Sequence, residues 1–196
     1  MAQTSTTLIS ARSHITSITG TDISLSATAG VYTISATSTV LTGAGKLAVG
    51  DLITVSGSAS NNSTFTVSTV VSTTELTVAE VVTSENADGS STITLDHVGF
   101  VSDKAKGDGY YSQPDGVHTV AYQVANDFNA DATIKMQGTL ATTPTEDDWF
   151  DIANTTFTAD GSTVTSSYNF TGNYVWVRSK TQSLTAGTTN SILLNH

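Results

Sequence analysis

Short runs in which apolar and polar residues alternate recur along this chain, and no window places apolar residues at the i, i+3, i+4, i+7 spacing of a helix. Ile53 and Val55 alternate with Thr54 and Ser56. Phe65, Val67 and Thr69 alternate with Thr64, Thr66 and Ser68. Ile23, Leu25 and Ala27 form one such run, and Val120, Tyr122 and Val124 another. A period of two puts alternate side chains on one face of a strand. Helix formers such as Glu, Lys, Gln and Met are scarce, while Thr, Val and Ile are plentiful. The chain is therefore expected to be all-β.

The spacing of runs and turns divides the 196 residues into four parts. Residues 1–20 read as an N-terminal arm, with a short strand at 7–11 that joins a neighbour's sheet edge or stays disordered. Residues 21–98 carry five to six short strands at roughly 8–12-residue intervals, the pattern of a small β-barrel-like domain. Residues 99–116 form a junction loop ending on Pro114-Asp115-Gly116. Residues 117–196 read as an antiparallel β-sandwich, jelly-roll-like. Within it, Ala132, Ile134, Met136 and Leu140 share a face that Gly138 interrupts as a bulge or close approach. Trp149 and Phe150 look like its anchor. Asn169–Arg178, apolar on both faces, reads as one central, doubly covered strand.

Charge narrows the function classes. Lys and Arg number 7 against 17 Asp and Glu, for a net charge of −10. A phosphate-backbone binder draws affinity from counterions released by basic side chains, so neither nucleic acid nor an anionic membrane is an expected partner. Only 12% of residues are charged, so Ser, Thr and Asn must make up much of the surface. Cysteine is absent, which removes disulfides, thiolate metal sites and a Cys nucleophile. The opening stretch MAQTSTTLISARSHITS lacks the basic start and apolar core of a signal peptide, so synthesis in a cytoplasm is expected. Each half is small enough to be marginal alone, which favours a homo-oligomer.

The densest charge is Glu146, Asp147, Asp148 and Asp151, with Asp127 and Asp131 upstream. Three readings compete. Such acids can hold Ca²⁺, which takes about six to eight oxygens. Two of them, Asp147 or Asp151 included, can form a glycosidase pair about 5–10 Å apart. Or they can be a solvated loop beside Pro144, the reading preferred here. The order does not fit an EF-hand. His14, His97, His118 and His196 show no metal-ligand spacing, and no G-x-S-x-G elbow or phosphate loop is found. No enzyme and no cofactor are expected. Tyr110 and Tyr111 lie in a Gly-rich loop, unlike the other aromatics, and are the candidate contacts for a partner or glycan.

Gly50–Ile93, GDLITVSGSASNNSTFTVSTVVSTTELTVAEVVTSENADGSSTI, resembles a small β-module that recurs in virion proteins of tailed bacteriophages. Its run is G-D-x-I-T-V-S-G-S, then N-N-x-T-[FY]-T-V, a T-x-[IL]-T-V strand and an acidic loop. GYYSQPDGVHTVAYQV, KMQGTLATTPTEDDWFDI and NFTGNYVWVRSK resemble the C-terminal part of structural proteins in marine, cyanophage-like tailed phages. The resemblance implies a non-enzymatic virion component, assembled in the host cytoplasm. A capsid decoration or cement protein on the particle exterior is the first expectation. A neck, tail or fibre accessory that binds glycan through Tyr110, Tyr111 and the loop of Glu146 and Asp148 is the second. Its expected partners are other capsid or tail proteins and copies of itself, most simply as a trimer. No functional residue is carried over from the resemblance.

Overall fold

A computed structural model describes residues 5–111, 116–162 and 164–195. The protein is all-β and its strand pairings are antiparallel; the helical content among the described residues is two short 3₁₀ turns, Asp108–Tyr111 and Glu146–Asp148. It divides into two compact units, residues 15–100 and residues 1–14 with 101–196.

In the unit of residues 15–100, strand Ile23–Thr28 pairs with Val31–Ala36, which pairs with Glu75–Val78, which pairs with Thr64–Ser72. Thr64–Ser72 continues onto Asp51–Ser56, then Ile93–Val101, then Ile18–Gly20. The alternating residues supply the core: Ile23, Leu25, Ile34, Ile53, Val55, Phe65, Val67, Leu76 and Leu95 are all buried. Their polar neighbours face outward, where Thr54 and Thr64 pair hydroxyls at 3.0 Å and Thr69 and Thr77 at 2.7 Å. His97 is buried, its Nε2 3.0 Å from Asp51 Oδ1. The Ile15 amide donates to His97 Nδ1, so the proton sits on Nε2 and donates to the carboxylate.

The unit of residues 1–14 and 101–196 is a β-sandwich. One sheet orders Ser5–Ile9, Thr188–Asn195, Val117–Val124 and Thr165–Thr171, with Arg12–Ser13 on the end of Thr188–Asn195. The facing layer holds Thr133–Thr139 between Trp176–Gln182 and the short Phe150–Asp151 and Phe157–Thr158 strands, and Ala105–Lys106 flanks Trp176–Gln182. Val120, Tyr122, Val124, Ile134, Met136, Val177, Ile192 and Leu194 fill the space between. The buried Tyr122 hydroxyl donates to the Thr155 carbonyl at 2.8 Å. The Thr155 hydroxyl in turn accepts from the Met136 amide and donates to the Ile152 carbonyl.

Several expectations change. The arm of residues 1–20 is not free: Ser5–Ile9 pairs with Thr188–Asn195 of its own chain, and residues 18–20 belong to the other unit. The junction is partly structured, by Ala105–Lys106 and the Asp108–Tyr111 turn. Pro114 and Asp115 lie outside the described residues, as does His196. Leu140 is 65% exposed because its strand ends at Thr139. Asn169–Arg178 is two strands in different sheets, Thr165–Thr171 and Trp176–Gln182, separated by residues 172–175. Tyr174 makes that break compact. A Cβ on Gly172 would lie 2.4 Å from its ring, and a Cβ on Gly138 would lie 2.6 Å from it. Gly138 is thus the close approach that its position in the strand implies.

Candidate functional site: an aromatic and cationic face

The Thr133–Thr139 and Trp176–Gln182 strands present two faces. Ile134, Met136 and Val177 point into the sandwich core. The other face is set by register: Lys135 opposite Lys180, Gln137 opposite Arg178, and Thr139 and Lys106 each opposite Trp176. Directly opposed residues share a face. With Lys104 above the Trp176 ring, this face collects Lys104, Lys106, Lys135, Arg178 and Lys180, five of the chain's 7 basic residues.

The aromatic end of the face is built by the Asp108–Tyr111 turn. The Gly107 amide donates to the Val175 carbonyl at 3.0 Å and the Gly109 amide to the Tyr174 carbonyl at 2.8 Å. The backbones approach so closely that a Cβ on Gly107 would sit 2.4 Å from the Tyr174 oxygen, which is why glycine occupies both positions. Asp108 secures the turn by accepting from the Gly116 amide at 2.6 Å and lying 3.3 Å from Nε2 of buried His118. Tyr110 then meets Tyr111 edge-on, with centroids 5.2 Å apart, and Trp176 at a tilt, 4.8 Å away. Trp176 is oriented by Nε1 donating to the Thr142 carbonyl at 3.0 Å. Lys106 Nζ lies 4.2 Å from the Tyr110 centroid and Lys104 Nζ 4.6 Å from that of Trp176. Tyr110 is 43% exposed and Tyr111 52%. Tyr110 and Tyr111 are therefore solvent-facing, as their loop setting implies. Trp176, Lys104 and Lys106 complete the row and were not legible as site residues, because the strand pairing that joins them spans about seventy positions of sequence.

The acidic loop is occupied with its own structure. Glu146 accepts from both terminal nitrogens of Arg178, at 2.9 and 2.8 Å. Arg178 Nε donates to Gln137, Gln137 donates to Asp151, and the guanidinium lies 4.2 Å from the Trp149 centroid. Asp151 also takes Lys135 Nζ at 2.5 Å. Burial pushes the Asp151 carboxyl up, but hydrogen bonds from Lys135 and Gln137 and the charges of Lys135 and Lys180 outweigh it, and the net shift is down. Asp148 turns back onto its own 3₁₀ turn, where the Thr145 amide and hydroxyl donate to it and lower its pKa. Asp147 is exposed. The four acids thus diverge, and among the described residues no three acids or histidines stand close enough to hold a metal ion. The expected anchor also shifts: Phe150 is 44% exposed and Trp149 is half-buried beneath Arg178, while Ile152 is buried.

Lys180 closes the far end of the face. Burial lowers its pKa, and repulsion from Arg178 and Lys135 adds to that, against a smaller pull from Asp151 and Glu146. Comparison with protein-family models and with curated protein sequences finds no match.

Proposed function

We propose that this chain is a non-enzymatic structural component of a tailed-phage virion, a capsid decoration protein carried on the particle exterior and assembled in the host cytoplasm. The reading rests on the resemblance of Gly50–Ile93 to a module of tailed-phage virion proteins, and the observation that supports it is the polar clamp within that stretch. Asp51 holds the Ala48 amide at 2.7 Å and the buried His97. Glu85 accepts from the Ser58 hydroxyl at 2.6 Å, the Ala59 amide at 2.9 Å and the Asn61 side chain at 3.1 Å. Asn61 closes the clamp on the Thr83 backbone. These polar residues bind the unit's own turns together, as suits a module reused for its shape.

The paired hydroxyls of the strands' outer faces give a polar, weakly charged coat that keeps a particle soluble. The homo-oligomer expected from the small size of each unit, with a trimer favoured by the virion reading, fits a role in which neighbours add stability. The test is sedimentation of the purified chain alone and with phage capsids or tails that lack it. Co-sedimentation as an oligomer supports the reading; a monomer with no affinity for either overturns it. A second reading, a neck, tail or fibre accessory that contacts host glycans, is favoured by the exposed Tyr111–Tyr110–Trp176 row.

A further inference from the structure

We propose that the Tyr111–Tyr110–Trp176 row, with Lys104 and Lys106, is a binding site for an acidic saccharide, a chain of sugars bearing carboxylate, sulfate or phosphate groups. The proposal rests on the glycan-contact reading and names the ligand class of that site. Three consecutive rings, two of them largely exposed, offer apolar faces and edges of the kind on which sugar rings pack. The lysines decide the charge of the ligand. Two ammonium groups beside the rings favour an anionic ligand where no carboxylate neutralises them. Among the described residues neither Lys104 nor Lys106 has one within ion-pair distance; both ammonium groups rest on rings instead. A ring is a weaker partner for a cation than a carboxylate, sulfate or phosphate, so an arriving anion displaces it at little cost.

Glu146 and Asp151 do not cancel these charges, because Glu146 is held by Arg178 and Asp151 by Lys135. Beyond the rings the face is neutralised by these two ion pairs, so the uncompensated positive charge lies at Lys104 and Lys106. The ligand therefore lays sugar rings along Tyr111, Tyr110 and Trp176 and points its anionic groups at Lys104 and Lys106. Nucleic-acid affinity is built on many phosphates neutralised at once, for which two lysines in a chain of net charge −10 are too few, whereas a glycan packed on the rings needs only one or two ion pairs.

The full-length chain is titrated with oligosaccharides of galacturonate, glucuronate and sulfated galactan, and with their carboxyl-reduced or desulfated counterparts. Oligo-dT and sedimentation of the chain alone are run in parallel. At least one anionic glycan is expected to bind about tenfold or more tightly than its neutral counterpart. Lys104→Gln with Lys106→Gln should bring it to the neutral level. Tyr110→Ala with Tyr111→Ala should abolish binding of both forms, and Lys46→Gln, in the other unit, should change nothing. Circular dichroism of each variant establishes that it is folded. Equal binding of charged and neutral forms, unaffected by the lysine pair, leaves glycan contact standing and overturns the acidic ligand. Binding of no glycan overturns both. Tighter binding of oligo-dT, or variants that alter only self-association, assigns the face to nucleic acid or to a second copy and overturns the proposal.

Discussion

Replacing Glu146 by Ala removes both acceptors of the Arg178 guanidinium, which sit at 2.9 and 2.8 Å. The Arg178 side chain is 6% exposed and the Glu146 side chain 28%. Breaking a fully buried ion pair by removing one partner costs about 3–5 kcal/mol, because the other charge is left uncompensated. Glu146 lies at the rim, so water enters the space it leaves, and Arg178 keeps its bond to Gln137 at 3.0 Å and its stacking on Trp149. These retained partners bring the expected loss to about 2 kcal/mol, above the roughly 0–1 kcal/mol of an exposed pair. Urea denaturation followed by tryptophan fluorescence measures it, since Trp149 lies directly against the guanidinium. Arg178→Met and the double variant complete a cycle, with a coupling of about 1–2 kcal/mol expected. A single-variant loss under about 0.5 kcal/mol with no coupling would refute the assignment of this pair as structural.

Gly138→Ala should destabilise the sandwich by about 1–3 kcal/mol, because the new Cβ would lie 2.6 Å from Tyr174 Cδ1; an unchanged melting temperature contradicts the close packing. Tyr122→Phe should cost about 1–2 kcal/mol in denaturant, since the buried Thr155 carbonyl loses its 2.8 Å donor, and a neutral result would show the bond to be dispensable. Acid should destabilise the unit of residues 15–100. Bonds from the Thr39 hydroxyl and the Thr39 and Ser38 amides to Asp22, from Ser91 and Ser90 to Asp88, and from Ser58 and Ala59 to Glu85 lower these pKa values below their ordinary 3.8, 3.8 and 4.5. The unfolded chain takes up these protons first as pH falls. The stability is therefore intact above about pH 5 and declines steadily as pH drops below about 4. Thermal melts at steps from about pH 5 down to about pH 2 check this, with Asp22→Asn expected to flatten the decline and a pH-independent melting temperature contradicting it.

Period-two alternation was enough to place most core residues, because a strand with one buried face writes its burial directly into the sequence: Ile53, Val55, Phe65, Val67, Tyr122 and Met136 all fall inside. What it could not show was where a run of strand-forming residues is cut. Asn169–Arg178 carries apolar residues on both faces and reads as one strand, yet Gly172 and the folded-back Tyr174 ring divide it between two sheets. The buried pair His97 and Asp51 was equally hidden, because its members are 46 positions apart and each looks ordinary alone. For the candidate site, the exposure of Tyr110 and Tyr111 was legible from their Gly-rich loop. The arginine that ties up Glu146 was not, since strand register alone brings residue 178 beside the acidic loop. Local composition made that loop look like a cluster of free carboxylates; long-range pairing turns its members toward separate partners.

The central claim is that this chain is an exterior part of a tailed-phage particle. Its most direct test is an electron-microscope image of intact phage particles labelled with antibody against the chain. The account predicts label at repeated positions on the outside of the head or tail. Particles that carry no label, with the chain found only in the unassembled fraction of the lysate, would contradict it.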